Sequence, residues 1–191
     1  MSPPRAVRIV GGQWKRSLLP VADKPGLRPT PDRLRETLFN WLGQDLDGWR
    51  VLDAFAGSGA LGFEAASRGA AEVTLLEQDA DLVRSLNASR ERLKASTLRV
   101  QRADALAWMK GAPAASFELV LLDPPFAAGL GERALAAAAR LLVPSGLVYL
   151  EAGEAYSGAV PTPLQPWRSG RVGAVHAALW QHATPTDESA P

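Results

Sequence analysis

The fold is decided by residues 51–62, which read Val51-Leu52-Asp53-Ala54-Phe55-Ala56-Gly57-Ser58-Gly59-Ala60-Leu61-Gly62. The stretch opens with an apolar run typical of a buried strand, and three glycines follow in the spacing G-x-G-x-x-G. Glycines at Gly57, Gly59 and Gly62 let the backbone turn tightly and pass close to a ligand. Because a helical segment follows, the pattern predicts a strand, a loop and a helix, with a nucleoside-containing ligand beyond the carboxyl end of the strand.

Short apolar runs alternate with helical segments through the rest of the chain. The predicted strands are 51–55, 73–77, 98–101, 117–123 and 147–151, with a weaker late strand at 172–181 after a proline-rich connection at 161–166. The predicted helices 80–95 and 132–142 are long enough to cross between parallel strands. We therefore expect one α/β domain over residues 48–181 and a disordered tail over residues 182–191.

Residues 1–35 form a basic leader. They contain eight Lys or Arg against Asp23 and Asp32, a net charge of +6, which leaves −5 for the rest of a 191-residue chain whose total is +1. A basic segment on an acidic body predicts a polyanionic partner for the leader.

The leader also has a predicted structure. Strand-like runs at 7–10 and 14–19 flank the dipeptide Gly11-Gly12, which suits a tight hairpin turn. A helix follows, with Thr30 as its N-cap and Pro31 at its first position. We therefore expect a basic hairpin and helix extension over residues 1–47.

Composition excludes several classes of function. The chain has no Cys, which removes disulfides, thiolate metal sites and a cysteine nucleophile. The start lacks the apolar stretch of a signal peptide, and no run reaches the roughly 20 apolar residues of a membrane helix. We expect a cytoplasmic protein without a membrane partner. Since no His and acid residues are spaced as ligands, we also expect no metal.

Three acids end successive predicted strands. Asp53 lies four residues before Gly57, where its charge repels a pyrophosphate and attracts a cation. Glu77 is in position to accept hydrogen bonds from both hydroxyls of a ribose. Asp104 either caps a helix or accepts a hydrogen bond from the amino group of an adenine. S-adenosylmethionine (AdoMet) combines a nucleoside with a sulfonium and an ammonium, so the three acids predict AdoMet as cofactor.

The fourth strand runs into Asp123-Pro124-Pro125-Phe126, the sharpest motif in the chain. Two prolines stiffen this turn and leave the Pro124 carbonyl free to face a substrate. The Asp123 side chain and that carbonyl can hold the two hydrogens of an exocyclic amine, which orients its lone pair toward a methyl donor. Phe126 can stack on the base. The turn predicts methylation of a nucleobase amine, on a base that has left its helix.

Other functions remain open on the residues alone. The same turn serves the adenine N6 amine of DNA or RNA. A Rossmann oxidoreductase shares the glycine loop, although Asp53 and the Asp-Pro-Pro-Phe turn disfavour it. An inactive RNA-binding module is a third alternative, which the complete set of acids disfavours. The absence of Cys favours amine methylation over methylation at a pyrimidine C5, which commonly uses a cysteine adduct.

Two sets of motifs resemble a known family. The pattern Asp-x-Phe-x-Gly-Ser-Gly at 53–59, with Asp-Pro-Pro-Phe at 123–126, resembles class I AdoMet-dependent methyltransferases of exocyclic amines. The leader motifs Arg-Ile-Val-Gly-Gly-x-Trp at 8–14 and Gly-Leu-Arg-Pro-Thr-x-Asp-Arg-x-Arg-Glu-x-Leu-Phe-Asn-Trp-Leu at 26–42 resemble the RsmD-type 16S rRNA guanine-N2 methyltransferases. The resemblance covers about residues 7–151.

This resemblance implies a Rossmann-like seven-stranded class I methyltransferase sheet. It also implies transfer of a methyl group from AdoMet to N2 of guanine 966 in 16S rRNA, within the small ribosomal subunit or its precursor. We expect the enzyme to be a monomer. The implied catalytic residues are Asp123, Pro124 and Phe126, and the implied cofactor residues are Asp53, Phe55, Gly57, Gly59 and Glu77. Asp104 is expected to bind the cofactor from its position after the third strand. The expected RNA-binding residues are Arg8, Lys15, Arg16, Arg28, Thr30, Arg33 and Arg35. One departure is Lys15-Arg16-Ser17, where the family usually has Arg-Gly-Arg.

Overall fold

The leader forms a small hairpin followed by a helix. In the computed structural model, which describes residues 5–126 and 129–184, strands β1 (Ala6–Arg8) and β2 (Leu18–Pro20) pair antiparallel. Helix α1 (Asp32–Leu42) buries Leu34, Leu38 and Leu42 along one face. Gly43 ends this helix in a left-handed conformation, with φ of +91°.

The remaining strands and helices alternate until the last hairpin. They are β3 (Arg50–Asp53), α2 (Ala60–Ser67), β4 (Glu72–Glu77), α3 (Ala80–Arg92), β5 (Leu98–Arg102), α4 (Ala105–Gly111), β6 (Phe117–Leu122), α5 (Leu130–Ala139), β7 (Leu142–Ala152), β8 (Leu164–Val172) and β9 (Val175–His182). Strands β3 to β9 form one seven-stranded sheet in the order β5-β4-β3-β6-β7-β9-β8. The first five are parallel, and β9 lies antiparallel between β7 and β8. The Rossmann-like fold expected from the sequence is confirmed.

Side-chain alternation along the strands builds two apolar layers. Val51, Leu121 and Tyr149 pack on one face with the leader, α2 and α3, and their neighbours Leu52 and Leu122 pack on the other face with α4 and α5. Both faces of the central strands are therefore covered, which is why these strands are almost wholly apolar.

The hairpin differs from its prediction. Its strands are shorter than 7–10 and 14–19, and the residues between them form a longer loop in place of a two-residue turn. The loop packs on α2: a Cβ added at Gly12, where φ is +75°, would lie 1.9 Å from the Ser67 carbonyl oxygen. Close packing explains this glycine better than turn geometry does.

The predicted cap of α1 is wrong. Pro31 is the N-cap residue, and no side chain caps the helix. The Thr30 side chain is buried and donates its hydroxyl hydrogen to Glu151, 2.7 Å away. The Thr30 hydroxyl therefore bonds to a carboxylate on β7 and does not cap the amides of α1.

The C-terminal hairpin begins earlier than expected. Strand β8 starts at Leu164, inside the stretch 161–166 that we expected to be a connection. Because β8 is an edge strand, Pro166 is tolerated there. The prolines in this stretch are typical of a connection, so the sequence pattern did not predict a strand there.

Order also extends further than predicted at the end of the chain. His182 belongs to β9, and the hydroxyls of Thr184 and Ser145 are 2.9 Å apart. The start of the tail at residue 182 is therefore wrong. Residues 185–191 of the predicted tail lie outside the described residues.

Candidate active site

A cleft of about 650 Å³ opens at the carboxyl ends of the parallel strands. It lies where the strand order reverses, between β3 and β6, which is the usual ligand position in open α/β sheets. Its lining includes residues 53–58, 77–79, 103–106 and 123–126, each following a different strand. Of the nine residues predicted for catalysis or cofactor binding, eight line this cleft, and Gly59 does not.

The glycine loop forms the floor of the cleft. Gly57 and Gly59 have φ of +54° and +82°, a region that favours glycine. Gly62 serves packing: a Cβ there would lie 2.1 Å from Leu75, and its amide donates a hydrogen bond to Asp53 Oδ2 at 2.9 Å. The third glycine of the motif therefore holds α2 against the sheet.

Asp53 is buried beneath the loop. Burial raises its pKa to about 7, because the amide hydrogen bonds from Gly62 and Phe55 do not offset the loss of water, and the charges of Glu77 and Glu151 add to the effect. Its Oδ1 is the one buried side-chain polar atom without a hydrogen-bond partner in the described part of the chain. An unpaired carboxylate oxygen at the cleft wall suits a cationic ligand.

Glu77 and Asp104 occupy the same wall of the cleft. Glu77 accepts hydrogen bonds from the amides of Gly57 and Asp79, at 3.0 and 2.9 Å, which orient its carboxylate. Asp104 caps α4 by accepting from the Ala107 amide at 2.8 Å. The cap alternative raised for Asp104 is thus correct. Since a carboxylate has about four acceptor sites, the cap leaves its ligand role a prediction.

The Asp-Pro-Pro-Phe turn follows β6, which lies next to β3 on the other side of the place where the strand order reverses. Asp123 is partly buried, and its pKa lies well above the usual range because of desolvation and the charges of Glu151 and Asp53. Pro124 is buried, whereas Phe126 is 59% exposed and faces the cleft with its ring beside Gly153. An exposed aromatic ring next to a carboxylate can hold a planar ligand. Residues 127 and 128, which follow this turn, lie outside the described residues.

A segment of the leader covers the cleft. Residues 24–30, which we call the leader strap, line it from above. Lys24 Nζ contacts Asp79 at 2.5 Å and Asp81 at 3.0 Å, and these hydrogen bonds raise the pKa of Lys24. A Cβ at Gly57 would lie 3.1 Å from the Leu27 side chain. The leader therefore contributes to the cleft, which the sequence did not indicate.

Glu151, near the end of β7, was not identified from the sequence. Its side chain is buried, and Oε1 accepts hydrogen bonds from the hydroxyls of Thr30 and Tyr149 at 2.7 and 3.0 Å. Burial raises its pKa to about 7, against the opposing effects of these hydroxyls and the charge of Arg35. An acid at the end of a predicted apolar strand, as at Asp53 and Asp123, was the available signal.

The residues predicted to bind RNA divide into two groups. Five are exposed: Arg8, Lys15, Arg16, Arg28 and Arg33. The prediction for Arg35 is wrong, because its side chain is fully buried and pairs with Glu64 at 3.0 Å. The prediction for Thr30 is also wrong, because Glu151 occupies its buried hydroxyl. Both residues stabilise the leader from within.

Within 5–126 and 129–184, no three His, Asp or Glu side chains cluster as metal ligands. No helix in those ranges is long and apolar enough to cross a membrane.

The sheet order, the glycine loop and the acid-lined cleft define a class I methyltransferase fold. The family described as Conserved hypothetical protein 95 matches residues 7–181. Ribosomal RNA small subunit methyltransferase D of Escherichia coli K12 is 49% identical over 131 residues, 68% of this chain and 65% of that protein. The Haemophilus influenzae protein of the same name is 42% identical over 76% of this chain and 78% of its own length. The solved yhhF protein of Escherichia coli has a TM-score of 0.83 at 39% identity, covering 94% of this chain and 99% of that one.

The chain belongs to the family described as Conserved hypothetical protein 95, and its resemblance to the RsmD-type proteins is confirmed. The matched region spans just under two thirds of the length of the Escherichia coli K12 relative.

Proposed function

We propose that the protein transfers a methyl group from AdoMet to the N2 amine of a guanine in 16S rRNA, at the position equivalent to 966. The observation that carries the proposal is that two features line the same cleft, on either side of the place where the strand order reverses. They are an unpaired buried carboxylate oxygen on Asp53 and the Asp-Pro-Pro-Phe turn. The first suits a cationic cofactor, and the second suits a nucleobase amine. Relatives named for small-subunit rRNA support the choice of RNA.

The residues of the cleft fit AdoMet. Asp53 would face its cationic amino acid part, Glu77 its ribose hydroxyls and Asp104 its adenine, with Phe55, Gly57 and Gly59 shaping the loop beside it. The bound cofactor supplies a methyl group made electrophilic by the sulfonium. No pyrophosphate would be tolerated beside Asp53, which argues against a dinucleotide.

The reactive turn would position the acceptor. The Asp123 carboxylate and the Pro124 carbonyl accept the two amine hydrogens, and Phe126 stacks on the guanine ring. With AdoMet bound, the oriented lone pair of the amine would displace the sulfur from the methyl carbon, the demethylated cofactor would leave as a neutral thioether, and the surplus proton would pass from the amine to water. Positioning and charge complementarity carry this reaction, so no strong base is needed beforehand.

The exposed arginines of the leader would hold the RNA. Arg28 lines the cleft, and Arg33 follows on the exposed side of α1. Contacts from such side chains to phosphates position a strand without reading its sequence. A monomeric enzyme, acting in the cytoplasm on the small subunit or its precursor, completes the proposal.

Substrate choice is tested by methyl transfer from labelled AdoMet. We expect label in small ribosomal subunits taken from cells that lack this chain, mapped by mass to N2 of one guanine in 16S rRNA. Duplex DNA is the comparison substrate. Label in the DNA adenine amine and none in the subunits would contradict the proposal in favour of an adenine N6 enzyme.

The reactive turn is tested by Asp123→Ala. We expect kcat to fall by at least about a thousandfold, because the amine loses its charged acceptor, while the Kd for AdoMet stays within about threefold. Glu118→Ala, at the other end of the same strand and paired with Arg50, is the matched control. Substantial activity in Asp123→Ala would remove Asp123 from the reaction.

A further inference from the structure

The side chain of Glu151 stands between the leader strap and the reactive turn. β6 and β7 are parallel with Leu122 opposite Leu150, so Asp123 and Glu151 are neighbours one position further toward the carboxyl edge of the sheet. The Glu151 side chain projects from the face that carries Tyr149, because residues two apart in a strand share a face, and its charge acts on Asp123. This is also the face on which the leader packs.

The contacts of Glu151 reach the leader. Thr30, the last residue of the strap, donates its hydroxyl to Glu151 Oε1 at 2.7 Å, and Tyr149 donates to the same oxygen at 3.0 Å. Both hydrogen bonds are buried. The other end of the strap is held at the surface by Lys24 and its two aspartates. The strap is therefore anchored on both sides of the cleft, and only its inner anchor lies beside Asp123.

We propose that Glu151 is a positioning residue of the site: it anchors the leader strap over the cleft through Thr30 and governs the charge state of Asp123. The inference deepens the proposed methyl transfer and rests on it for its rate measurement. Two neighbouring carboxylates, one buried and one partly buried, resist ionising together, so the charge of one affects the other. The charged and titratable groups around Glu151 are Asp123 just after β6, Asp53 on β3, Tyr149 on β7 and Arg35 on α1.

The anchor is tested with two matched substitutions, Thr30→Val and Tyr149→Phe. Each removes one hydroxyl that donates to the same oxygen of Glu151, but only Thr30 belongs to the strap. We expect the Kd for AdoMet, measured by calorimetry on the full chain, to rise about tenfold in Thr30→Val and to stay within about twofold in Tyr149→Phe. Equal Kd values in the two variants would overturn the anchor, provided that both retain a cooperative unfolding transition at similar denaturant midpoints.

The effect on Asp123 is tested with Glu151→Gln. The amide oxygen still accepts from Thr30 and Tyr149, so the strap keeps its anchor, but the negative charge beside Asp123 is gone. The pKa of Asp123 then falls, and the acid limb of the kcat profile moves to lower pH by about one unit. If kcat fell equally at every pH and the acid limb did not move, Glu151 would have only a structural role. That result would overturn its proposed effect on the charge state of Asp123.

The two proposals fail in different ways. A wild-type chain that binds AdoMet but methylates no 16S rRNA defeats the proposed function, and the calorimetric comparison of Thr30→Val with Tyr149→Phe still tests the anchor. A wild-type chain that methylates the guanine, with equal Kd values in that pair, defeats only the anchor.

Discussion

Asp53, the acid proposed to face the cationic cofactor, has a cost to folding. Its carboxyl is fully buried with one oxygen unpaired, and its pKa is raised to about 7. The folded chain therefore holds a proton that the unfolded chain has released, and stability falls as the pH rises from about 4 to about 7. Integrated over that interval, the penalty reaches about 4 kcal/mol above pH 7.

Asp53→Asn should remove this penalty. Because the amide carries no charge, we expect the stability gained over the wild type to be about 2 to 3 kcal/mol larger at pH 8 than at pH 5, measured by urea unfolding. AdoMet affinity should fall in the same variant, since the cationic ligand loses its partner. Glu118→Gln is the control: burial disfavours the Glu118 charge, but hydrogen bonds from Arg50 outweigh it and lower the pKa. Its effect should therefore be nearly equal at the two pH values. An equal effect of Asp53→Asn at both pH values would refute the shift.

Arg16 stands where the RsmD-type motif usually has glycine, and its backbone adopts a conformation that favours glycine. Its φ is +75°, while its amide donates a hydrogen bond to the Ile9 carbonyl that closes the hairpin loop. We expect Arg16→Gly to raise the free energy of unfolding by about 1 kcal/mol, because a left-handed conformation strains a residue with a Cβ.

Lys15→Gly is the matched control for that substitution. It removes the same charge from the adjacent exposed position, where φ is not positive, and should lower stability by about 0.5 to 1 kcal/mol. Chemical denaturation of both variants gives the comparison. A loss of stability in both would show that the loop gains nothing from glycine at residue 16.

At the scale of elements, α1 uses its arginines in two ways. Arg35 donates to Glu64 and to the carbonyls of Arg8 and Thr30, and these bonds fasten the hairpin and the strap to α2. Arg33 is exposed on the same helix. A motif containing both residues therefore mixes a structural position with a surface position.

The two arginines should respond oppositely to substitution. Arg35→Ala leaves Glu64 without its α1 partner in the core, and we expect a loss of about 3 to 5 kcal/mol in unfolding free energy. Arg33→Ala should change stability by less than about 0.5 kcal/mol and weaken RNA binding. Unfolding curves and RNA titrations on both variants provide the measurement. If Arg35→Ala were as stable as the wild type but bound RNA more weakly, Arg35 would contact RNA phosphates as first predicted, despite its burial.

At the scale of the whole molecule, the leader and the sheet share one apolar core. Ile9, Leu19 and Leu34 belong to the same buried cluster as Val51 and Leu75. The division at residue 47 into an RNA-binding extension and a methyltransferase domain thus stays a functional prediction. Charge, in contrast, is divided: +6 in the leader against −5 elsewhere.

That division predicts how RNA affinity depends on salt. Each phosphate contact to a single strand contributes about 0.7 to the slope of log K against log salt. We expect the double variant Arg28→Ala, Arg33→Ala to reduce the slope for 16S rRNA by about 1.4. Arg99→Ala removes an exposed arginine paired with Glu72 on the β5 edge of the sheet and should leave the slope unchanged. Equal slopes in all three proteins would place the RNA away from the leader.

Local features of the sequence were enough to predict the parallel sheet and the loop at 57–59. Strand alternation, the spacing of glycines and the stiffness of two prolines act within a few residues, so they can be recognised without knowing the fold. The same features placed Asp53, Glu77, Asp104 and Asp123 at strand ends, which the topology brings to one cleft.

The strap, Glu151 and the burial of Arg35 depend on contacts between distant parts of the chain. Thr30 and Glu151 are 121 residues apart in sequence, and Arg35 and Glu64 are 29 apart. An arginine or threonine has the same local signature whether it faces water or a buried carboxylate. Its environment follows from which elements pack together, and that packing assigned these leader residues to the interior rather than to RNA.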